Sequence, residues 1–375
     1  MIAPIFTAST SVVPVSLRER SYSIHIAPDA LRVLPALPDS ALPGEIALVS
    51  NAGVGALYGD DLTKQLENLG QKVTRFEMGD GENYKSLDTA ARAYDTLANA
   101  KFSRRGAVWA LGGGVTGDLA GYVAATWMRG VSFVQIPTSL LAMVDSGVGG
   151  KVGVNHPGAK NLIGAFWQPV AVVCDPNCLQ TLPARELRAG LAEVIKYGVI
   201  CDADFFDYLE ANLDGALKLD AEILGRIIAR CCAIKAEVVG DDERESDAIG
   251  RRAILNYGHS AGHAFEAISR YGTLLHGEAI AIGMTIEARL AIALETIERD
   301  EGQELLRSQT RLFQRAGLPT RTPEGTDFEA LWNAMALDKK NRGAGVNFIL
   351  PTRMGEVARV ENVEKETVRE AVFGI

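Results

Sequence analysis

The chain has no surplus of positive charge. Its 38 Lys and Arg stand against 47 Asp and Glu, a formal net charge of −9 and a pI near 5.3. That balance excludes a basic surface of the kind that nucleic acid or an anionic membrane would select, so an anionic ligand would need a local cationic pocket. Cysteine is scarce: Cys174, Cys178, Cys201, Cys231 and Cys232, an odd number without a CxxC pair. This argues for reduced thiols and a cytoplasmic setting rather than a disulfide scaffold. No apolar run reaches the length of a membrane span. No Lys or Arg precedes Arg18, so the start lacks the positive segment of a signal peptide. Residues 1–16 are expected to form a frayed N-terminal arm. Internal repeats and low-complexity tracts are absent too.

What remains is ordinary globular material, 47% hydrophobic and 23% charged over 375 residues, enough for two domains. Short apolar runs at 45–50, 71–77, 107–111, 131–136 and 170–174 alternate with helical patterns such as 60–69 and 87–100. Alternation of this kind points to a mainly parallel sheet with helices on both faces. After about Leu182 the periods become helical and long: 184–199, 203–217, 221–239, 260–270, 278–297 and 302–316. The expected fold is an α/β Rossmann-like domain over 17–182 followed by a mostly α-helical domain over 183–375.

Glycine is plentiful, and its placement is informative. Between Asp145 and Pro169 run Gly147, Gly149, Gly150, Gly153, Gly158 and Gly164, interleaved with Lys151, Lys160, Asn155 and Asn161. Read as a long connector without a helical or strand period, this segment suits the wall of a site for a phosphorylated or acidic small molecule. Gly112, Gly114 and Gly117 satisfy GxGxxG where a buried-strand pattern meets a helical one, the context that sets backbone N–H groups against a diphosphate. The motif lies about 110 residues into the chain, and no acidic residue ends the following strand, so a plain packing turn is the competing reading. Asp80-Gly81-Glu82-Asn83-Tyr84-Lys85 follows the 71–77 strand and offers carboxylates to ribose hydroxyls and a Lys to a phosphate, or else is a solvated turn.

Three of the five histidines cluster: His259 and His263, four apart on one helix face, and His276. Glu193 lies in a helical stretch with Lys196 and Tyr197 three and four residues on. One carboxylate and two imidazoles would hold a zinc-like divalent ion with an open position. The alternative is packed or capping histidines. Glycines beside His259, His263 and His276 are expected to leave room for a ligand next to each ring.

These clusters together resemble the 3-dehydroquinate synthase family of sugar phosphate cyclases, from about Ser16 onward. The matching motifs are DGENYK (80–85), GGGVTGDLAGYVAA (112–125), QIPTSLLAMVDSGVGGKVGVN (135–155), KNLIGAFWQP (160–169), LRAGLAEVIKYG (187–198), DERES (242–246), LNYGHSAGHAFE (255–266), LHGEAIAIGM (275–284) and DKKN (338–341). The resemblance implies zinc or cobalt ligands at Glu193, His259 and His276. It implies NAD contacts at Asp80, Gly81, Glu82, Asn83, Tyr84, Lys85, Gly113, Gly114, Val115, Thr116, Gly117, Asp118, Thr138, Ser139, Lys151, Lys160, Cys178, Leu179, Gln180 and Thr181. It implies catalytic roles for Asp145, Lys151, Lys196 and His263, the last as proton relay or phosphate ligand. Substrate contacts are implied at Arg129, Lys151, Asn161, Lys196, Lys235, Arg252 and Asn256, and at Lys339 or Lys340. Arg129 resembles an arginine that reaches the neighbouring subunit's site, which implies a homodimer.

The implied reaction converts 3-deoxy-D-arabino-heptulosonate 7-phosphate to 3-dehydroquinate and phosphate: transient oxidation by NAD, phosphate elimination, re-reduction and aldol closure, a step of the shikimate pathway. The alternatives are a related cyclase with a carboxylate-free sugar phosphate and a metal-dependent NAD polyol dehydrogenase. Three departures stand out. Ser50-Asn51-Ala52-Gly53-Val54 replaces a TDxNV-like turn, the link 246–251 before Arg252 is long, and the usual Thr-Thr pair reads Thr138-Ser139.

Overall fold

The structure is a computed structural model that describes residues 10–32, 34, 36–245, 251–269, 273–337 and 345–374. It divides into two compact units, Met1–Leu182 with Leu219–Arg244, and Pro183–Lys218 with Glu245–Ile375.

The first unit is built on nine strands: β1 (Ser11–Val15), β2 (Tyr22–Ile26), β3 (Glu45–Asn51), β4 (Lys72–Met78), β5 (Ala107–Gly112), β6 (Ser132–Pro137), β7 (Lys151–His156), β8 (Ala159–Phe166) and β9 (Ala171–Cys174). Seven of them form one sheet in the order β1-β2-β9-β6-β5-β3-β4, and β7 and β8 make a separate hairpin. Every pair in the large sheet is parallel except β1 with β2. A turn α1 (Ala52–Val54) continues through a π-helical turn into α2 (Asp60–Asn68), and α3 (Leu87–Asn99) and α4 (Gly114–Thr126) follow. Alternate strand residues explain the layers. Ala47, Val49, Phe76, Val108, Ala110 and Phe133 face a core completed by Ala90, Ala93 and Leu97 of α3 and by Leu119, Ala120 and Val123 of α4.

Three expectations are corrected here. Within the expected N-terminal arm, residues 11–15 are not frayed: Val13 and Val15 are buried, and β1 pairs with β2 along its whole length. The glycine-rich stretch is not an irregular connector either, since Lys151–Phe166 is an antiparallel hairpin. Val152 and Val154 enter the core beneath α4. Gly153 faces Gly164 so closely that a Cβ on either would lie within 2.5 Å of a backbone oxygen across the pair. Glycine there hides a strand from any reading based on apolar alternation. Third, α7 (Ala221–Asp241) belongs to the first unit rather than to the helical one. Its buried residues, including Leu224, Ile228 and Cys232, pack against β1, β2 and the π-helical turn Ala142–Ser146.

The second unit is helical: α5 (Ala184–Cys201), α6 (Ala203–Leu217), α8 (His259–Ile268), α9 (His276–Ala293), α10 (Arg299–Arg315), α11 (Phe328–Ala336) and α12 (Lys365–Phe373), with one hairpin of β10 (Val346–Arg353) and β11 (Glu356–Val363). All five cysteines are free thiols. Among the described residues, no helix is long and apolar enough to cross a membrane.

Candidate functional site

In the first unit the strand order decides where a ligand can sit. The chain leaves β3 for β4 on one side and returns to β5 on the other, so the C-terminal ends of β3 and β5 flank a topological switch point. Open α/β sheets bind ligands in the crevice at such a point. The GxGxxG turn joins β5 to α4, which is why it stands so far into the chain. Gly113 is the N-cap of α4, and it makes no side-chain cap to that helix start. Thr138 continues from β6, its N–H donating to the Gly112 carbonyl at 2.9 Å, and Ser139 lies beside Gly113.

The 80–85 loop is tied to this turn. The Lys85 ammonium, 5% exposed, meets Asp118 of α4 at 2.6 Å and Glu82 at 3.8 Å. Burial pushes the Asp118 carboxyl up, and Lys85 opposes that shift. Lys85, expected to offer its charge to a phosphate, is therefore engaged as a strut between the two segments. Asn51, the departure after β3, has its own work: its Oδ1 accepts from Val54 N–H at 2.8 Å, and its Nδ2 donates to Asp80 at 2.8 Å. Asn155 of β7 donates through its side-chain amide to Glu82 and through its backbone N–H to the Lys85 carbonyl, both at 2.8 Å. Cys178, Leu179, Gln180 and Thr181 form a 3-10 turn started by Asp175. The Tyr58 hydroxyl lies 2.6 Å from Thr181 Oγ1.

The expected substrate residues of this unit are less closely grouped. Lys235 donates to Asp145 through both its carboxylate, at 2.5 Å, and its carbonyl, at 2.7 Å. Lys151 opens β7 and is exposed, whereas Lys160 and Asn161 lie on β8, with Asn161 at φ 56°. Arg129 is exposed in a turn where Met128 and Arg129 both have positive φ, 47° and 69°.

In the second unit three helices bring Glu193 (α5), His259 (α8) and His276 (α9) together, their ligand atoms all within 4.8 Å of one another. Glu193 is fully buried; Lys196 ion-pairs with its Oε2, and its Oε1 makes no hydrogen bond. His259 Nε2 and His276 Nε2 approach Glu193 Oε1 at 3.5 and 3.4 Å. The other nitrogen of each ring is committed, His259 Nδ1 to the Tyr257 carbonyl at 3.0 Å and His276 Nδ1 to Glu266 at 3.2 Å. Two Nε2 atoms and a carboxylate thus converge without hydrogen-bond geometry. For bonds of about 2.1 Å at a tetrahedral angle, neighbouring donors stand roughly 3.4 Å apart. The set fits a divalent cation.

Burial and neighbouring charges compete at each of these side chains. Burial pushes His259 far below its ordinary range, and the Lys196 ammonium adds to this. Burial also disfavours charge on His276, yet the neighbouring Glu193 and Glu266 carboxylates raise it to about 10. Burial works against ionisation of Glu193, but Lys196 and the two histidines hold it well below the carboxylate range. Lys196 ion-pairs with Glu193 and donates to the Leu255 carbonyl at 2.9 Å. His263 is exposed, its ring centroid 5.1 Å from that of His259 and 5.9 Å from that of His276. Arg252 is buried, and Asn256 donates to the Ala253 carbonyl.

Residues 75–189 match the family model for the 3-dehydroquinate synthase N-terminal domain, and residues 190–341 match that for its C-terminal domain. The chain is 49% identical over 368 residues to a curated 3-dehydroquinate synthase of a Synechococcus species, covering 97% of this chain and 98% of the relative. It is 45% identical over 369 residues to the one from Nostoc punctiforme, covering 98% and 100%. The chain belongs to the 3-dehydroquinate synthase family. It is an enzyme of that family, and the shared architecture extends to other sugar phosphate cyclases. A 2-epi-5-epi-valiolone synthase from Streptomyces hygroscopicus subsp. jinggangensis, solved with NAD+ and Zn2+ bound, superposes with a TM-score of 0.84 at 29% identity, covering 95% of this chain and 97% of that one. A 2-deoxy-scyllo-inosose synthase complexed with carbaglucose-6-phosphate, NAD+ and Co2+ gives 0.86 at 25% identity, covering 98% and 100%.

Two parts of the sequence reading are revised by the geometry. The glycines beside the histidines do not leave space for a ligand; they let helix backbones touch. A Cβ on Gly277 would lie 1.8 Å from the Ala189 carbonyl of α5, and one on Gly258 would lie 2.9 Å from the Ile280 carbonyl of α9 and one on Gly262 3.2 Å from that of Ala279. Sequence reading also missed Glu266 and Glu287. Glu266 stands seven residues after His259, two helical turns along α8, a spacing that could have flagged it as a partner for a ligand histidine. Glu287 sits within an apolar helix and gives no signal. Lys339 and Lys340 lie outside the described residues.

Proposed function

We propose that the chain converts 3-deoxy-D-arabino-heptulosonate 7-phosphate to 3-dehydroquinate and phosphate, with NAD at the switch point of the first unit and a zinc or cobalt ion held by Glu193, His259 and His276. The observation that carries the reading is the buried Glu193 Oε1, without a hydrogen bond, facing two Nε2 atoms whose rings are oriented from behind. It stands in a chain nearly half identical to curated members of the family. When bound, NAD accepts and returns a hydride, so it acts as a catalyst, and the ion lowers the pKa of a hydroxyl and polarises a ketone.

The chain's own residues bind and move protons. Lys196 and Arg252 bring fixed positive charge to an anionic substrate, and Asn256 adds a directional hydrogen bond. Lys151, Lys160, Asn161 and the Asp145–Lys235 pair are the contacts proposed from the first unit. His263, exposed beside the ligand histidines, is placed to carry a proton between the reacting hydroxyl and water. The 80–85 loop, Gly113–Asp118, Thr138, Ser139 and 178–181 are proposed to hold NAD, with Gly113 and α4 meeting the diphosphate. As a carbon–oxygen lyase acting on a phosphate ester, the protein is further proposed to work in the cytoplasm as a homodimer, with Arg129 offered to the neighbouring subunit.

The test is phosphate release from the heptulosonate phosphate. With NAD and metal present, release is expected without net NADH, and chelation or Glu193→Ala abolishes it. Stoichiometric NADH from glycerol-like substrates would place the chain among polyol dehydrogenases instead. Turnover of sedoheptulose 7-phosphate in preference to the heptulosonate would make it another cyclase.

A further inference from the structure

Glu287 lies near the middle of α9, where residues 279–286 are all buried, and it is itself 0% exposed. A carboxyl in such a place is costly unless its oxygens are satisfied. The backbone N–H groups of Gly258, Ser260 and Ala261 stabilise its charged form, although only Oε2 is hydrogen-bonded and Oε1 has no partner. Gly258 N–H donates to Oε2 at 2.6 Å. These donors are the start of α8. The N-cap there is Gly258, at φ 80°, which has no side chain to cap with, so the first-turn N–H groups would otherwise be orphaned inside the protein. The same stretch is fastened to α9 at a second point, where the Tyr257 hydroxyl donates to the Met284 carbonyl at 3.1 Å and to Gln309 at 2.8 Å.

The segment held in this way carries His259. Its Nδ1 is tied to the Tyr257 carbonyl, so the path of the backbone at 257–261 sets where Nε2 points. The next ligand, His276, is the first residue of α9 itself. We propose that Glu287 is a positioning residue for the metal centre: from α9 it caps the first turn of α8 and so holds His259 at the spacing from Glu193 and His276 that a divalent ion needs. The proposal rests on the metal reading above. It requires hydrogen-bond acceptance at the reach of a Glu side chain, not negative charge.

The experiment compares Glu287→Gln, Glu287→Asp and Glu287→Met in the full chain. Zinc affinity is measured by competition with a chromogenic chelator, and the visible absorption of the cobalt-loaded protein reports ligand geometry. Glu287→Gln keeps an acceptor at the same reach and is expected to bind zinc within about threefold of the parent. Glu287→Asp falls short of the α8 N–H groups, and Glu287→Met removes the acceptor; each is expected to weaken zinc roughly 10- to 100-fold, the usual range for outer partners of metal ligands. Both are also expected to change the cobalt bands while NAD binding stays within twofold. A folded Glu287→Met protein with parental zinc affinity and cobalt bands overturns the proposal. So does a Glu287→Gln protein as weak as Glu287→Met, because charge rather than capping would then be required. Should Glu287→Met fail to fold, equal affinities for Glu287→Asp and Glu287→Gln overturn it. Glu193→Ala separates the two readings. If it retains parental zinc affinity, the metal assignment and the positioning role fall together; if it loses zinc while the Glu287 series does not, only the positioning role falls.

Discussion

At the scale of residues, the site contains charges that work through other residues rather than on a ligand. Lys85 is the clearest case. A lysine in a loop beside a glycine turn invites assignment to a phosphate, yet its ammonium is buried against Asp118, and so it joins the 80–85 loop to α4. Removing one partner strands the other, which for a buried pair is more damaging than removing both. Lys85→Met is expected to cost about 2 kcal/mol of stability, a figure kept below the fully buried range because Asp118 is 22% exposed. Combining it with Asp118→Asn is expected to recover about 1 kcal/mol of the sum. Urea denaturation of the two single variants and the double variant measures this coupling. Additive losses would show that the strut does not exist in solution. NAD affinity should fall in the single variants, because both segments lose their mutual anchor.

At the scale of elements, the proposed metal ligands owe their convergence to helices that approach at backbone distance. Gly277 against Ala189 brings α9 to α5, and Gly283 against Gly258 brings α9 to α8. Side chains of any size at these crossings would separate Glu193, His259 and His276. Gly283→Ala, whose Cβ would meet a carbonyl oxygen at 2.0 Å, is expected to destabilise the protein by about 3 kcal/mol. Gly225→Ala makes a useful contrast: in α7 nothing lies within 4 Å of the new Cβ, and helix propensity predicts a gain of up to about 1 kcal/mol. Thermal unfolding of the two variants distinguishes them, and equal effects would mean that the helix crossing tolerates separation. The β7–β8 hairpin follows the same rule in a sheet. Gly153 and Gly164 allow two strands to meet face to face, and they also remove the alternation by which a strand is recognised.

At the scale of the whole molecule, the cation proposed for three helices of the second unit would link metal to global stability. At a free metal concentration about 100 times the dissociation constant, the native state gains roughly 2.7 kcal/mol, or about 5–10 °C in the melting temperature of a domain of 150–250 residues. Chelation is expected to lower the transition by that amount, and Glu193→Ala should melt at the chelated temperature with or without metal. A parent protein whose melting ignores chelators would contradict a bound structural role for the ion.

The sequence by itself determined the alternation of β3 to β6 with their helices, the helical second half, and the side chains proposed as ligands. These depend on local periodicity and on residue type, and both are written along the chain. Asp60–Asn68, Leu87–Asn99 and Ala203–Leu217 were legible for this reason, as were Glu193, His259 and His276 as a possible set. Only the tertiary structure decided the rest. It assigned α7 to the first unit through the apolar face it shares with β1 and β2, turned the glycine-rich stretch into a hairpin, and gave Lys85 to Asp118. It also showed that a carboxyl in an apolar helix caps the segment that presents His259. Apart from the hairpin, whose paired glycines mask its alternation, each of these joins residues distant in the chain, set by which faces bury one another and which buried polar atoms must find partners, and no local pattern encodes that choice.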